Sequence, residues 1–220
     1  MRHSKLFVAS SLVLALAACG GKQDDAITAT PATAAPEAPK EVELIARDAL
    51  FGNPERAGVQ ISPDGKYLSW IAPVDGVMNV WVAPASDPSA GRAVTDDKAR
   101  GIRNYFWSYR PDTLLYLRDN GGDEDFHLYA VDLASNQSRD LTPFEKTTAQ
   151  VVGVSPTQPD SILVGMNDRD AKWHDLYRVD LATGERTLVE KNTQEIAGYI
   201  ADGDYNLRFA QRSRPDGGMD

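Results

Sequence analysis

From residue 57 onward, apolar and polar positions alternate in short runs broken by Pro, Gly, Asp and Asn. That is the pattern of brief, half-buried strands joined by tight turns. In "HLYAVDL" (127–133), Leu128, Ala130 and Asp132 share one face, and Tyr129, Val131 and Leu133 share the other. Nearly the same phrase returns as "DLYRVDL" at 175–181. Each pass reads as a strand, a tight turn and three further strands. The first is "ISPDGKY" followed by "YLSWIAPV", "MNVWVAPA" and "GRAVT". The second runs from "IRNYFWS" through "LLYLRDN" and "FHLYAVDL" to "SRDLT", and the third from "TAQVVGVS" to "ERTLVEK". A fourth begins with "EIAGYIA", "DGDYN" and "LRFAQRS".

Two sets of anchors give the period. Ser62, Ser108 and Ser155 precede the first turn and lie 46 and 47 residues apart, while Trp81, Tyr129 and Tyr177 lie 48 and 48 apart in the third strand. Four short strands repeating at this interval are the signature of propeller blades. The turn Pro63-Asp64-Gly65 fits: a preset φ, a carboxylate that caps its own backbone, and a residue free to take positive φ. A β-sandwich has similar strand spacing but no need for the same Tyr-x-Val-Asp-Leu in successive units, and a parallel β-helix repeats over a much shorter period. The expected fold is all-β, a partial β-propeller of about three and a half four-stranded blades. Its blades fall at about 57–95, 102–142 and 148–190, with a partial one at 195–220.

A propeller closes when its last blade meets its first. Here "LRFAQRS" is expected to lie at an unpaired edge, and "RPDGGMD" resembles no capping segment. The expectation is an N-terminal piece of a longer protein.

Composition changes the picture mainly at the N-terminus. "MRHSK" is short and positive, and "LFVASSLVLALAA" is apolar over 13 residues, enough for a signal-peptide core and short for a bilayer span. It leads into Leu16-Ala17-Ala18-Cys19, which resembles a bacterial lipobox. The resemblance implies that residues 1–18 are removed and that Cys19 carries the lipid. Cys19 is the chain's single cysteine, so no disulfide competes for it. By the same resemblance, Gly20 after the Cys implies the outer membrane of a Gram-negative cell, facing the periplasm. Residues 19–40 are rich in Ala, Pro and Thr without aromatics and read as a flexible tether. Residues 41–56 form a lead-in with a short helix expected at 44–51, stopped by Gly52 and Pro54. The net charge is −9, moving to −11 once Arg2 and Lys5 leave with the signal, which excludes nucleic acid as a partner.

The blade sequences carry a family resemblance. "NGGDEDFHLYAVDLASNQSRDLTPFEK" (120–146) and "ALFGNPERAGVQISPDGKYLSWIAP" (49–73) resemble the propeller of the prolyl oligopeptidase family of serine peptidases, over about residues 44–220. The resemblance implies a propeller gating short peptides on their way to a C-terminal α/β-hydrolase domain. That domain would carry Ser, Asp and His in this order, with the Ser on a G-x-S-x-G elbow. The sequence contains no such elbow: "GVSPT" (153–157) puts Pro156 and Thr157 where the elbow needs other geometry. No catalytic residue, cofactor or metal ligand is therefore assigned, and the chain alone is expected to be inactive. The alternative is a non-catalytic propeller binding module resembling that of the Tol system, which uses similar "SPDGK" turns.

Several residues invite a chemical role. His127 and His174 precede the Leu-Tyr of two third strands and read as parts of the repeat. Asp123, Glu124 and Asp125 lack the spacing of a calcium loop and read as a solvated turn or as partners of Arg118, and Asp168, Arg169 and Asp170 form the matching loop. Tyr105, Phe106, Trp107 and Tyr109 read as packing side chains.

Overall fold

The computed structural model describes residues 43–220. Cys19, the signal segment and the tether lie outside them. A one-turn helix, α1, covers Arg47–Phe51 and is followed by fourteen strands. These form separate sheets in chain order. Blade 1 holds β1 (Ala57–Ile61), β2 (Tyr67–Val74), β3 (Val77–Pro84) and β4 (Arg92–Ala93). Blade 2 holds β5 (Asn104–Trp107), β6 (Thr113–Arg118), β7 (His127–Asp132) and β8 (Gln137–Asp140). Blade 3 holds β9 (Ala149–Val154), β10 (Ser161–Met166), β11 (Asp175–Asp180) and β12 (Arg186–Glu190). β13 (Ile196–Ala201) and β14 (Leu207–Arg212) pair as the start of a fourth. Segments 57–95 and 102–142 are thus distinct antiparallel sheets, as a partial β-propeller requires.

The registers superpose the blades. In the three complete sheets Trp70 faces Trp81, Tyr116 faces Tyr129, and Val164 faces Tyr177. Period-2 alternation then assigns each strand's faces to different neighbours. Leu128 and Ala130 of β7 pack toward blade 3 with Ile162, Val164 and Val179. Val131, beside them in sequence, packs toward blade 1 with Val80 and Val82. Leu163 and Leu176 turn the other way, onto Tyr205, Tyr199 and Leu207 of the fourth unit. Every middle blade is therefore apolar on both faces. Burying one such Leu side chain stabilises the fold by roughly 1.5–3 kcal/mol.

The first turn behaves as its composition demands. Gly65 sits at φ +73°, where a Cβ is strained, and Asp64 accepts from the Ser62 hydroxyl at 2.7 Å and from the Lys66 amide at 3.1 Å. The hydrogen-bonded Lys66 ammonium, helped by the Ser62 hydroxyl and the Lys66 amide, lowers the Asp64 carboxyl to about 2.

The tail differs from expectation. "RPDGGMD" is a hairpin: Arg214 accepts from the Gly217 amide at 3.0 Å, and the Arg212 and Asp220 amides and carbonyls bond reciprocally at 3.0 and 2.9 Å. Gly217 takes φ +84°, which makes the turn possible. Met219 and Asp220 therefore run back along the end of β14, beginning a third strand where none is legible in the composition. Beyond that short pairing, β14 keeps exposed apolar positions, with Phe209 at 70%.

Candidate functional site at the blade seams

The chemistry-bearing side chains gather where neighbouring blades meet. At the seam of blades 1 and 2, Trp107 Nε1 donates to Ser69 Oγ at 2.9 Å and Tyr105 Oη to the Gly58 carbonyl at 2.5 Å. Tyr67 stacks on Trp107 with centroids 6.0 Å apart. Tyr105 and Trp107 are buried packing residues, whereas Phe106 faces the opposite seam and Tyr109 is about two-fifths exposed. Alternation explains the split. Arginines tie the outer strands across both seams: Arg92 donates to the Leu133 carbonyl at 2.7 Å, and Arg139 to that of Ala182.

The two histidines occupy different places, which corrects their reading as one repeated position. Tyr129 and Tyr177 are equivalent in register, so His127 corresponds to Asp175, and His174 to Phe126. One residue more separates His174 from its Tyr than separates His127 from Tyr129. His127 Nδ1 lies 2.7 Å from Asp140 Oδ2. Asp175 binds the Arg169 guanidinium through two contacts of 2.6 and 2.7 Å and accepts from the Asn192 amide at 2.7 Å. The same position in blade 1 is Asn79, which donates to Asp97 O at 3.0 Å and accepts from its amide at 2.7 Å. Asn79, His127 and Asp175 therefore each hold the chain that leaves, or ends, their own fourth strand. His174 Nε2 is buried without a hydrogen-bond partner among the described residues, and burial lowers its pKa below the ordinary value.

Arg118 does not engage the acidic loop. Its guanidinium lies 4.7 Å over the Tyr129 ring and donates to Tyr129 Oη at 3.3 Å, while Asp97, outside that loop, acts on it at longer range. Asp123 instead accepts from the backbone amides of Asn120 and Asp125 at 3.1 and 3.2 Å, closing the loop on itself. In the matching loop, Asp168 pairs with Arg186 at 2.8 Å, and Arg169 is taken by Asp175. Ser155 of "GVSPT" is buried and hydrogen-bonded to Thr157 and to the Gly203 carbonyl. That places it in a turn clamp, with no histidine among its partners. Among the described residues no cluster of three His, Cys, Asp or Glu is arranged to hold a metal ion.

Four-stranded sheets in series, each apolar on two faces and stitched at its seams, define a partial β-propeller. Comparison with known proteins places it further. The chain is 73% identical over 198 residues to dipeptidyl aminopeptidase BIII of Pseudoxanthomonas mexicana, a match covering 89% of the chain and 29% of that protein. It is 32% identical over 185 residues to dipeptidyl peptidase family member 6 of Caenorhabditis elegans, covering 81% of the chain and 25% of the relative. The chain thus spans less than a third of the length of either relative. No family model matches. Among solved structures, a puromycin-hydrolyzing peptidase from Mycobacterium tuberculosis superposes on 73% of the chain and 30% of its own, with a TM-score of 0.49 and 17% identity. The chain is a homologue of a dipeptidyl aminopeptidase, and the family resemblance of its blades is to the propeller region of the prolyl oligopeptidase family.

Proposed function

We propose that this chain is the propeller of an exported serine peptidase and admits short peptides to an α/β-hydrolase domain lying outside the present sequence. The supporting observation is its 73% identity, over nearly all of its blades, to a dipeptidyl aminopeptidase. The fold adds a physical reason for gating. Blades whose apolar faces are consumed by one another form a rigid wall, and such a wall selects by size. The chemistry itself, a Ser nucleophile with its base and oxyanion hole, belongs to the hydrolase domain. Cys19 as lipid attachment site would hold the enzyme at the envelope, with residues 20–40 as its leash.

One preparation tests these statements together. The full-length gene product should release dipeptides from a short chromogenic peptide, leave a folded protein uncut, and sediment with membranes. Residues 1–220 alone should release nothing above a blank, and Cys19→Ser should move the enzyme to the soluble fraction. Turnover by residues 1–220 would remove the two-domain reading. Equal cleavage of short and folded substrates would remove gating, and continued sedimentation of the Cys19→Ser protein would remove the anchor.

A further inference from the structure

Two neighbouring seams solve the same problem differently. In blade 3, Arg186 sits 4.6 Å over the Tyr177 ring, beside Met166 Sδ at 3.8 Å, and Asp168 Oδ2 meets its Nη1 at 2.8 Å. The same guanidinium lies 3.9 Å over the Phe144 ring. In blade 2, Arg118 occupies the register position of Met166 and puts its own guanidinium 4.7 Å over Tyr129, the counterpart of Tyr177. The same geometry is reached from a different strand. What is missing is an acid in direct contact: Asp97 acts on Arg118 only at longer range, and its carboxylate is held by the amides of Ala99, Arg100 and Gly101. The loops between the second and third strands have equal length, so Asp168 corresponds to Asn120, which carries no charge. Nor is the space refilled: Arg118 and Tyr129 border an open groove of about 610 Å³ with Thr95, Asp96, Asn136 and Ser138.

We propose that the groove between blades 1 and 2 binds a carboxylate on Arg118, where Asp168 serves Arg186 in the next seam. A guanidinium presents its donors in a fork matched to two carboxylate oxygens, and a cation already desolvated against a ring gains more from a partner than one in bulk water. Ser138 Oγ, 2.8 Å from Tyr116 Oη, offers a hydroxyl beside the same cation. Of the carboxylates near the groove, Asp96 in its lining is paired with Lys98, and Asp97, which also acts on Arg118, is held by three backbone amides. The ligand class is a carboxylate borne on a short peptide, as an acidic side chain or as the C-terminus. The choice of a peptide rests on the proposed function, whereas carboxylate binding is measured without turnover, so the two can fail separately.

The probes are three blocked peptides titrated against the full 220-residue chain and followed by NMR shifts. Acetyl-Gly-Glu-Gly-amide offers only a side-chain carboxylate, acetyl-Gly-Ala-Gly only a terminal one, and acetyl-Gly-Ala-Gly-amide none. One or both of the acids should bind, the winner identifying the source, and the neutral peptide should not. Arg118→Gln should weaken binding by about tenfold or more, the usual worth of a charge-assisted hydrogen bond. Asn120→Asp, which keeps Arg118 and restores the blade 3 arrangement, should weaken it similarly, so the result does not hang on one variant that could misfold. Failure of both acids to bind, equal binding of the neutral peptide, or undiminished binding in Asn120→Asp would each overturn the proposal.

Discussion

The core of the seam between blades 1 and 2 is aromatic and partly polar, whereas that between blades 2 and 3 is mainly aliphatic. The first joins Tyr105, Trp107 and Tyr116 to the apolar side chains of blade 1 and spends their polar atoms on Ser69, Gly58 and Ser138. The second packs Leu115, Leu128, Ile162, Val164, Met166 and Val179, all six wholly buried. One repeat thus supports two kinds of interface. Large rings bring hydrogen bonds that fix orientation, while branched chains fill their seam by shape alone. The aliphatic seam leaves no polar vacancy beside its cation, and the aromatic one does.

The largest expected effect lies in the aliphatic seam. Leu128→Ala removes a side chain with no exposed surface and should cost about 2–5 kcal/mol in urea unfolding. A loss below about 1 kcal/mol would mean that the blades do not rely on that contact for stability. Next, Asp168→Asn makes the second seam resemble the first by stripping the acid from Arg186. Both partners are less than a third exposed, so a loss of about 1–2 kcal/mol is expected, between that of a surface pair and a buried one. The smallest effect is a pH dependence. His174 is held below its ordinary pKa by burial, so the unfolded chain takes up the proton first as pH falls. Stability is therefore undiminished above the unfolded pKa, near 6.5, and declines as pH drops from there through the lower folded value. His174→Phe, which copies the blade 2 residue Phe126, should show a smaller drop in urea midpoint between about pH 7.5 and pH 5. Equal drops would show that His174 does not carry it.

Much of this fold was legible because its period is written in strongly constrained positions. Trp81, Tyr129 and Tyr177 face fixed partners across the sheet, and the face-to-face alternation of β7 follows directly from its letters. Half-exposed positions carry no such constraint. His127 and His174 look interchangeable beside Leu-Tyr, and only register shows that one holds an aspartate and the other fills a phenylalanine's place. Arg118 next to three acids suggests an ion pair, yet the loop folds its carboxylate onto its own amides and leaves the cation to a ring. The hairpin after β14 was hidden because Pro and Gly signal a turn without saying whether the chain returns to pair.

The position shared by Asn79, His127 and Asp175 has a consequence for anyone exchanging blades. The backbones are interchangeable, but each blade is buttoned to its own outgoing chain by a different chemistry: an amide, an imidazole and a carboxylate. A graft that moves the third strand alone would arrive with the wrong button. Transplanting Asp175 without Arg169 and Asn192, or His127 without Asp140, strands a polar group in the fold, so the smallest portable module runs from the second strand through the exit of the fourth.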